Sequence, residues 1–195
     1  SKITEVFKNQ KRANLQFQDV DLLNSQIGLL VQGRERYTDI GQFRDNEVFM
    51  KSLEINAVAS EETLRQRLEK MPLTHNKLLK QANLQLLKKR TLGAITKAGM
   101  TFIPLDMDVS PLDNSQSKKE FVGWTYKGHD GYAPMFSYIG SEGFMLSNEL
   151  RPGSQHSQKG MPQFLDENFD FVHFVTIHAF VHYKPVEVYL NLFLN

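Results

Sequence analysis

The hydrophobic period of this chain changes once, near Met100, and the change limits what the chain can fold into. Before it, apolar residues recur at three- and four-residue spacing and no proline precedes Pro72, the pattern of amphipathic helices. Leu22, Leu23, Ile27, Leu29 and Leu30 form one such stretch, with Gly33 as its stop. Residues 44–53 form a second, with Phe43, Val48, Phe49 and Leu53 available to one face. Ser60 is an expected N-cap, with Glu61 and Glu62 in the first turn, of a helix that stops before Pro72. Residues 77–90 offer Leu78, Leu79, Ala82, Leu86 and Leu87 to a core. From Met100 to Val109 the faces alternate, as in a strand. Residues 131–139 and 143–150 read as two more strands joined by the turn Gly140-Ser141-Glu142-Gly143. The expected class is α+β: a helical region over 1–95, an antiparallel-strand region over 96–167, and an apolar tail over 168–195.

Composition narrows the chemistry. The chain has no Cys, which excludes disulfides, a thiolate nucleophile and Cys-based metal sites, and leaves His, Asp and Glu as strong ligands. The net charge of +1 conceals 17 basic and 11 acidic side chains in residues 1–100 against 6 and 11 in residues 101–195. Such a division fits a part that meets a polyanion and a part that gathers carboxylates; solvated helices alone would also produce it. No secretory signal follows Ser-Lys-Ile-Thr-Glu, so a cytoplasmic location is expected, and the missing initial Met points to an incomplete or processed N-terminus. Residues 186–194 are too short and too interrupted for a membrane span.

Asp106 and Asp108, two apart on a strand, project from one face and repel unless a cation or proton intervenes. A hard divalent ion such as Mg²⁺ suits them, with Asp113 available as a third oxygen; alternatively one Asp is solvated and the other caps a turn. His129-Asp130 is a weaker acid–base candidate, and Asp130-Gly131 reads as a turn. His178 and His182 have zinc-helix spacing but lack the adjacent glutamate, and the residues 171–177 before them favour a strand. Ser110, Ser137 and Ser154 lack a nucleophile-elbow context, and no glycine pattern matches a P-loop or dinucleotide site. The two short helices before Pro72 fit a helix-turn-helix, although Arg65 and Arg67 diverge by about 200° around a helix. A plain bundle with solvated Arg and Lys is the alternative.

Three separated blocks then agree in order with one family: Phe102-Ile103-Pro104-Leu105-Asp106-Met107-Asp108-Val109-Ser110-Pro111, Tyr126-Lys127-Gly128-His129-Asp130-Gly131-Tyr132-Ala133-Pro134 and Glu149-Leu150-Arg151-Pro152-Gly153-Ser154-Gln155-His156. They resemble the first half of the catalytic domain of bacterial insertion-sequence transposases of the DDE type, group 1. Gln26 to Gly33, Phe43-Arg44-Asp45 and Thr63 to Leu68 resemble the helical region before it, so the resemblance covers about residues 20–167.

The resemblance implies a ribonuclease-H-like core in which an Asp on the first strand, an Asp on a later strand and a Glu on a late helix hold two Mg²⁺ or Mn²⁺ ions for phosphodiester cleavage and strand transfer. Asp108 is the expected first carboxylate, with Asp106 as the alternative. Arg65, Arg67 and Lys70 would neutralise phosphates of double-stranded DNA at the element's terminal inverted repeats, with a homodimer or pairing with a full-length transposase as further expectations. Beyond residue 167 the resemblance stops, and only Asp166, Glu167, Asp170 and Glu187 remain as carboxylates. A truncated or frameshifted chain is the expectation, its sheet left with an open edge and its transposition impaired; a non-catalytic DNA-binding remnant is the alternative.

Overall fold

The structure is a computed structural model that describes residues 2–10, 15–97, 99–176 and 187–193. The chain divides into two compact units, Ser1–Asn83 and Leu84–Asn195, so the division falls inside a helix. That position follows from packing: Leu84 and Leu87 are buried in the core of the second unit.

The first unit contains α1 (Lys2–Val6), α2 (Asp19–Val31), α3 (Glu47–Leu53), α4 (Glu61–Glu69) and most of α5 (Thr74–Leu87), with a 3₁₀ segment over Tyr37–Phe43. Each boundary has a local cause. The backbone N–H of Gln18 donates to Asp21 at 2.8 Å at the start of α2, and Gly33, at φ +67°, turns the chain after its end. The Asn46 side chain accepts from Phe49 N–H at 2.9 Å, and the Ser60 hydroxyl accepts from Thr63 N–H at 3.2 Å, as its sequence position predicts. Leu22, Leu29, Ile40, Phe49, Ile55 and Leu64 form one core cluster. The buried Asn24 donates to the Leu53 carbonyl at 3.0 Å, fixing α2 to the end of α3. Residues 54–60 connect α3 to α4, longer than the three or four residues of a tight helix-turn-helix.

The second unit is built on a five-stranded mixed sheet. Its strands are β1 (Ile95–Lys97), β2 (Met100–Val109), β6 (Met135–Ile139), β7 (Phe144–Glu149) and β8 (Glu187–Phe193), and β1, β2, β6 and β7 lie in that order with antiparallel pairing. β8 pairs parallel to β2, setting Phe102 opposite Glu187, Asp106 opposite Asn191 and Asp108 opposite Phe193. β8 therefore covers one side of β2, and its parallel pairing joins the expected antiparallel strands to make a mixed sheet. Leu105, Met107 and Val109 from β2, Met135 and Ile139 from β6 and Leu146 from β7 make the core face.

Three expectations from the sequence differ from the structure. The segment 131–139 is two strands, because Ala133 and Pro134 separate β5 (Asp130–Tyr132) from β6. β5 is the middle strand of a second sheet, between β3 (Leu112–Asp113) and β4 (Gly123–Trp124), so Asp130-Gly131 is strand rather than turn. Residues 171–176 are helical, not extended, since α6 (Met161–Thr176) continues through them. Met161, Phe164, Asn168, Val172, Val175 and Thr176 are its buried positions, and this helical spacing against the sheet core overrides their β-propensity.

The small sheet is possible because of glycine. A Cβ at Gly131 would overlap the Leu112 carbonyl oxygen, and one at Gly153 would overlap the carbonyl oxygens of Gly123 and Gly131. Gly131→Ala is therefore expected to destabilise the folded chain by roughly 2–3 kcal/mol through forced backbone movement. Equilibrium urea unfolding measures this, and a loss within about 0.5 kcal/mol would contradict the packing described.

Candidate functional site

β2 sends its side chains alternately to two faces, and the inward set is fixed by the core. Asp106 and Asp108 consequently share the opposite face, each half-buried, about 7 Å apart along the strand. Their register partners on β6 are Tyr138 and Phe136, whose rings lie 6.3 Å apart, so an aromatic pair flanks the carboxylates on the same face. Burying either carboxylate in the aliphatic core instead would cost several kcal/mol, which makes this register strongly preferred.

A third group approaches from the small sheet. The Tyr126 hydroxyl donates to the Val109 carbonyl at 3.1 Å, tying the turn after β4 to the end of β2. Although half of the residue is exposed, its hydroxyl end is turned inward; desolvation first, and the negative charge of Asp108 second, hold the phenol pKa above its ordinary value.

The other candidates separate from this face. Asp113 lies on β3, where it accepts from the Ser115 N–H at 2.9 Å and hydroxyl at 2.6 Å; these bonds keep its carboxyl below the usual range. It closes a turn, and no group of three or more His, Asp or Glu side chains suited to a metal forms among the described residues. His129 sits with Nδ1 at 3.4 Å from the Thr125 hydroxyl and 3.4 Å from the Asp130 backbone carbonyl. His178 and His182 lie outside the described residues. Asp166, Glu167 and Asp170 are on α6, which packs on the core face, the side of the sheet away from Asp106 and Asp108. Glu187 is opposite Phe102, roughly 13–20 Å along the sheet from the two aspartates. No described helix is long and apolar enough to cross a membrane.

In the first unit, Arg65 is held on its own helix by Glu62 at 2.8 Å and Glu69 at 3.0 Å. Arg67 donates to the buried Asp19 at 2.6 Å and to the Phe17 carbonyl at 3.4 Å, and Lys70 is the exposed residue that follows α4. Asp19 also faces the Nε2 of buried His75 at 3.5 Å, and the His75 ring stacks on Phe7 at 5.0 Å.

Two structural roles were not apparent from sequence reasoning. Arg151 is 2% exposed, pairs with Glu149 at 2.8 Å and donates to the Ser157 carbonyl at 3.1 Å, so it organises the chain between β7 and α6. The available signal was its place two residues after Glu149 in the stretch Glu149 to His156. Ser137 donates to Asn168 across the sheet–helix contact, a pairing that no local pattern announces.

The family model "Transposase DDE domain group 1" matches residues 1–173. No curated protein and no solved structure matches the chain.

The environment of Tyr126 gives a direct check on the position of Asp108. Since the folded phenol titrates above the ordinary value of about 10, its contribution to stability is intact below that pH and is lost as pH rises through the folded value. Asp108→Asn is expected to lower the Tyr126 midpoint, read as the ultraviolet titration difference between chains with and without Tyr126→Phe. An unmoved midpoint would contradict the proximity of the two groups.

Proposed function

This chain belongs to the transposase DDE domain group 1 family, and from that premise we propose that it acts on the DNA ends of an insertion sequence by metal-dependent phosphodiester cleavage and strand transfer. The observation that carries the reading is the pair of half-buried carboxylates, Asp106 and Asp108, on one face of the central strand. We read the mixed sheet and its covering helix as a ribonuclease-H-like core.

The donor set suits Mg²⁺, which is commonly held by one or two carboxylates with water and substrate phosphate oxygens completing the shell. Asp108 is the principal ligand in this reading and Asp106 its companion; carboxylates for a second ion are not assembled among the described residues. When bound, the cation supplies an activated water or 3′-hydroxyl and charge neutralisation at the leaving oxygen. The protein's own part is to hold two negative charges at fixed spacing, with Phe136 and Tyr138 limiting water beside them. Tyr126, through Val109, pins the strand end that carries Asp108.

Phosphate contacts on the helical unit are assigned to the exposed Lys70 and to the partly exposed Arg65, whose guanidinium a phosphate would share with Glu62 and Glu69. Arg67 contributes there only if a phosphate displaces Asp19, which makes its structural role the stronger one. Terminal inverted repeats as the target, and a homodimer or a full-length transposase as partner, belong to this same proposal. A second reading, a non-catalytic DNA-binding protein, is favoured by one observation: Asn191 and Phe193, not carboxylates, occupy the β8 positions opposite Asp106 and Asp108.

The test is nicking of supercoiled plasmid in Mn²⁺ or Mg²⁺. The catalytic reading predicts activity that Asp108→Asn lowers by about 100-fold or more, since even residues that merely orient metal ligands cost 10–100-fold. Binding of DNA without nicking in the wild-type chain would favour the second reading.

A further inference from the structure

The second unit carries an exposed aromatic surface that the proposed chemistry does not use. Phe121 is 70% exposed, Trp124 64% and Tyr126 50%, within six residues of one another. Isolated exposed aromatics are ordinary, but three together on a rigid support are a recognition surface in search of a partner. Rigidity is evident from the anchors: the Tyr132 hydroxyl donates to the Glu120 carbonyl at 2.8 Å, and Tyr126 to the Val109 carbonyl at 3.1 Å. A Cβ at Gly128 would meet the Trp124 ring at 4.0 Å, so the indole lies beside the turn that follows it. Phe121 has φ +65°, a left-handed conformation that a bulky residue adopts only when its surroundings enforce it. The Phe121 and Trp124 side chains are thus left open to solvent, and Tyr126 is half exposed with its hydroxyl turned inward.

Charge identifies the occupant. Lys118, Lys119 and Lys127 are exposed among these rings and are three of only six basic side chains in residues 101–195. Over residues 118–129 the one opposing carboxylate is Glu120, and Lys127 lies 5.3 Å from the Tyr126 ring centre. Basic side chains alone suit duplex phosphates. Interleaved with outward aromatic faces, they suit a strand whose bases are unpaired and free to stack. Tyr126 links this surface to the strand end that bears Asp108.

We propose that Phe121, Trp124 and Tyr126, with Lys118, Lys119 and Lys127, form a binding surface for a single-stranded DNA segment beside the carboxylate pair. The inference rests on the proposed action on DNA and deepens it: the unpaired strand at the cleavage point is held by stacking while its backbone is neutralised by lysine.

Trp124 is the single tryptophan of the chain, so its emission reports this surface and nothing else. The full chain in EDTA is titrated with fluorescein-labelled oligothymidylate of about 16 nucleotides, near the upper site size of single-strand-binding folds, and with a duplex of equal length. Emission and label anisotropy are followed together. The expected result is quenching of Trp124 that tracks anisotropy, favours the single strand and weakens with salt. Phe121→Asn, which removes the ring and tolerates the left-handed backbone, and Lys118→Gln with Lys119→Gln should each weaken binding about tenfold, with unchanged circular dichroism. Anisotropy without quenching, or affinity indifferent to these variants, would overturn the proposal while leaving action on DNA intact. Absence of single-strand binding by both readouts would overturn it too, and metal-dependent plasmid nicking then decides the catalytic reading independently. A concentration-dependent blue shift of Trp124 without DNA would assign the surface to a second copy of the chain, also against the proposal.

Discussion

The alternation of β2 is the constraint on which the second unit depends. Leu105, Met107 and Val109 must enter the core together, and their doing so sends Asp106 and Asp108 to the other face. A slip of one residue would exchange the sets, exposing three apolar side chains and burying two charges, so the register and the candidate site are specified by the same interaction. Neighbouring pairings reinforce it: the Gly140 N–H donates to the Pro104 carbonyl at 3.0 Å, and the Ser110 N–H to the Pro134 carbonyl at 3.0 Å. The strand is thus pinned at both ends of its contact with β6, on either side of the aspartates.

The small sheet extends this frame. It approaches β2 through Tyr126 and is packed on itself through Gly123, Gly131 and Gly153, where backbone meets backbone without intervening side chains. Such contacts leave the backbone that carries Trp124 little room to shift. On the opposite face α6 is fixed to β6 by Ser137 and Asn168, and the chain entering it is organised by Arg151. Ser137, Asn168 and the two terminal nitrogens of Arg151 have specific partners at these points, so they orient the helix as well as tolerate burial, while the buried Arg151 Nε is left without one.

Much of the framework was legible because it is local. Ser60 as a cap, Gly33 as a stop, β2 and the Gly140–Gly143 turn all follow from spacing and side-chain type, and each occurs where expected. What failed depended on distant residues. The β-branched and aromatic run 171–176 is helical because a sheet core receives one side of it, and no local signal contains that core. Asp130-Gly131 is a strand because Leu112 and Gly123 approach it from both sides. The pairing of β8 with β2 joins segments some eighty residues apart, beyond any periodicity argument. At the candidate site, Asp106 and Asp108 were visible as a same-face pair, but the fate of Asp113 depended on its neighbour Ser115, and the proximity of Tyr126 depended on the fold of a second sheet.

The central claim is that Asp106 and Asp108 form a cation-binding face flanked by Phe136 and Tyr138. Paramagnetic broadening of ring resonances by Mn²⁺ tests it without requiring turnover. Substoichiometric Mn²⁺ should broaden the Phe136 and Tyr138 rings selectively in the wild-type chain, and the effect should disappear in Asp106→Asn with Asp108→Asn while the fold is retained. Broadening that is uniform across the chain, or that persists in the double variant, would contradict the account.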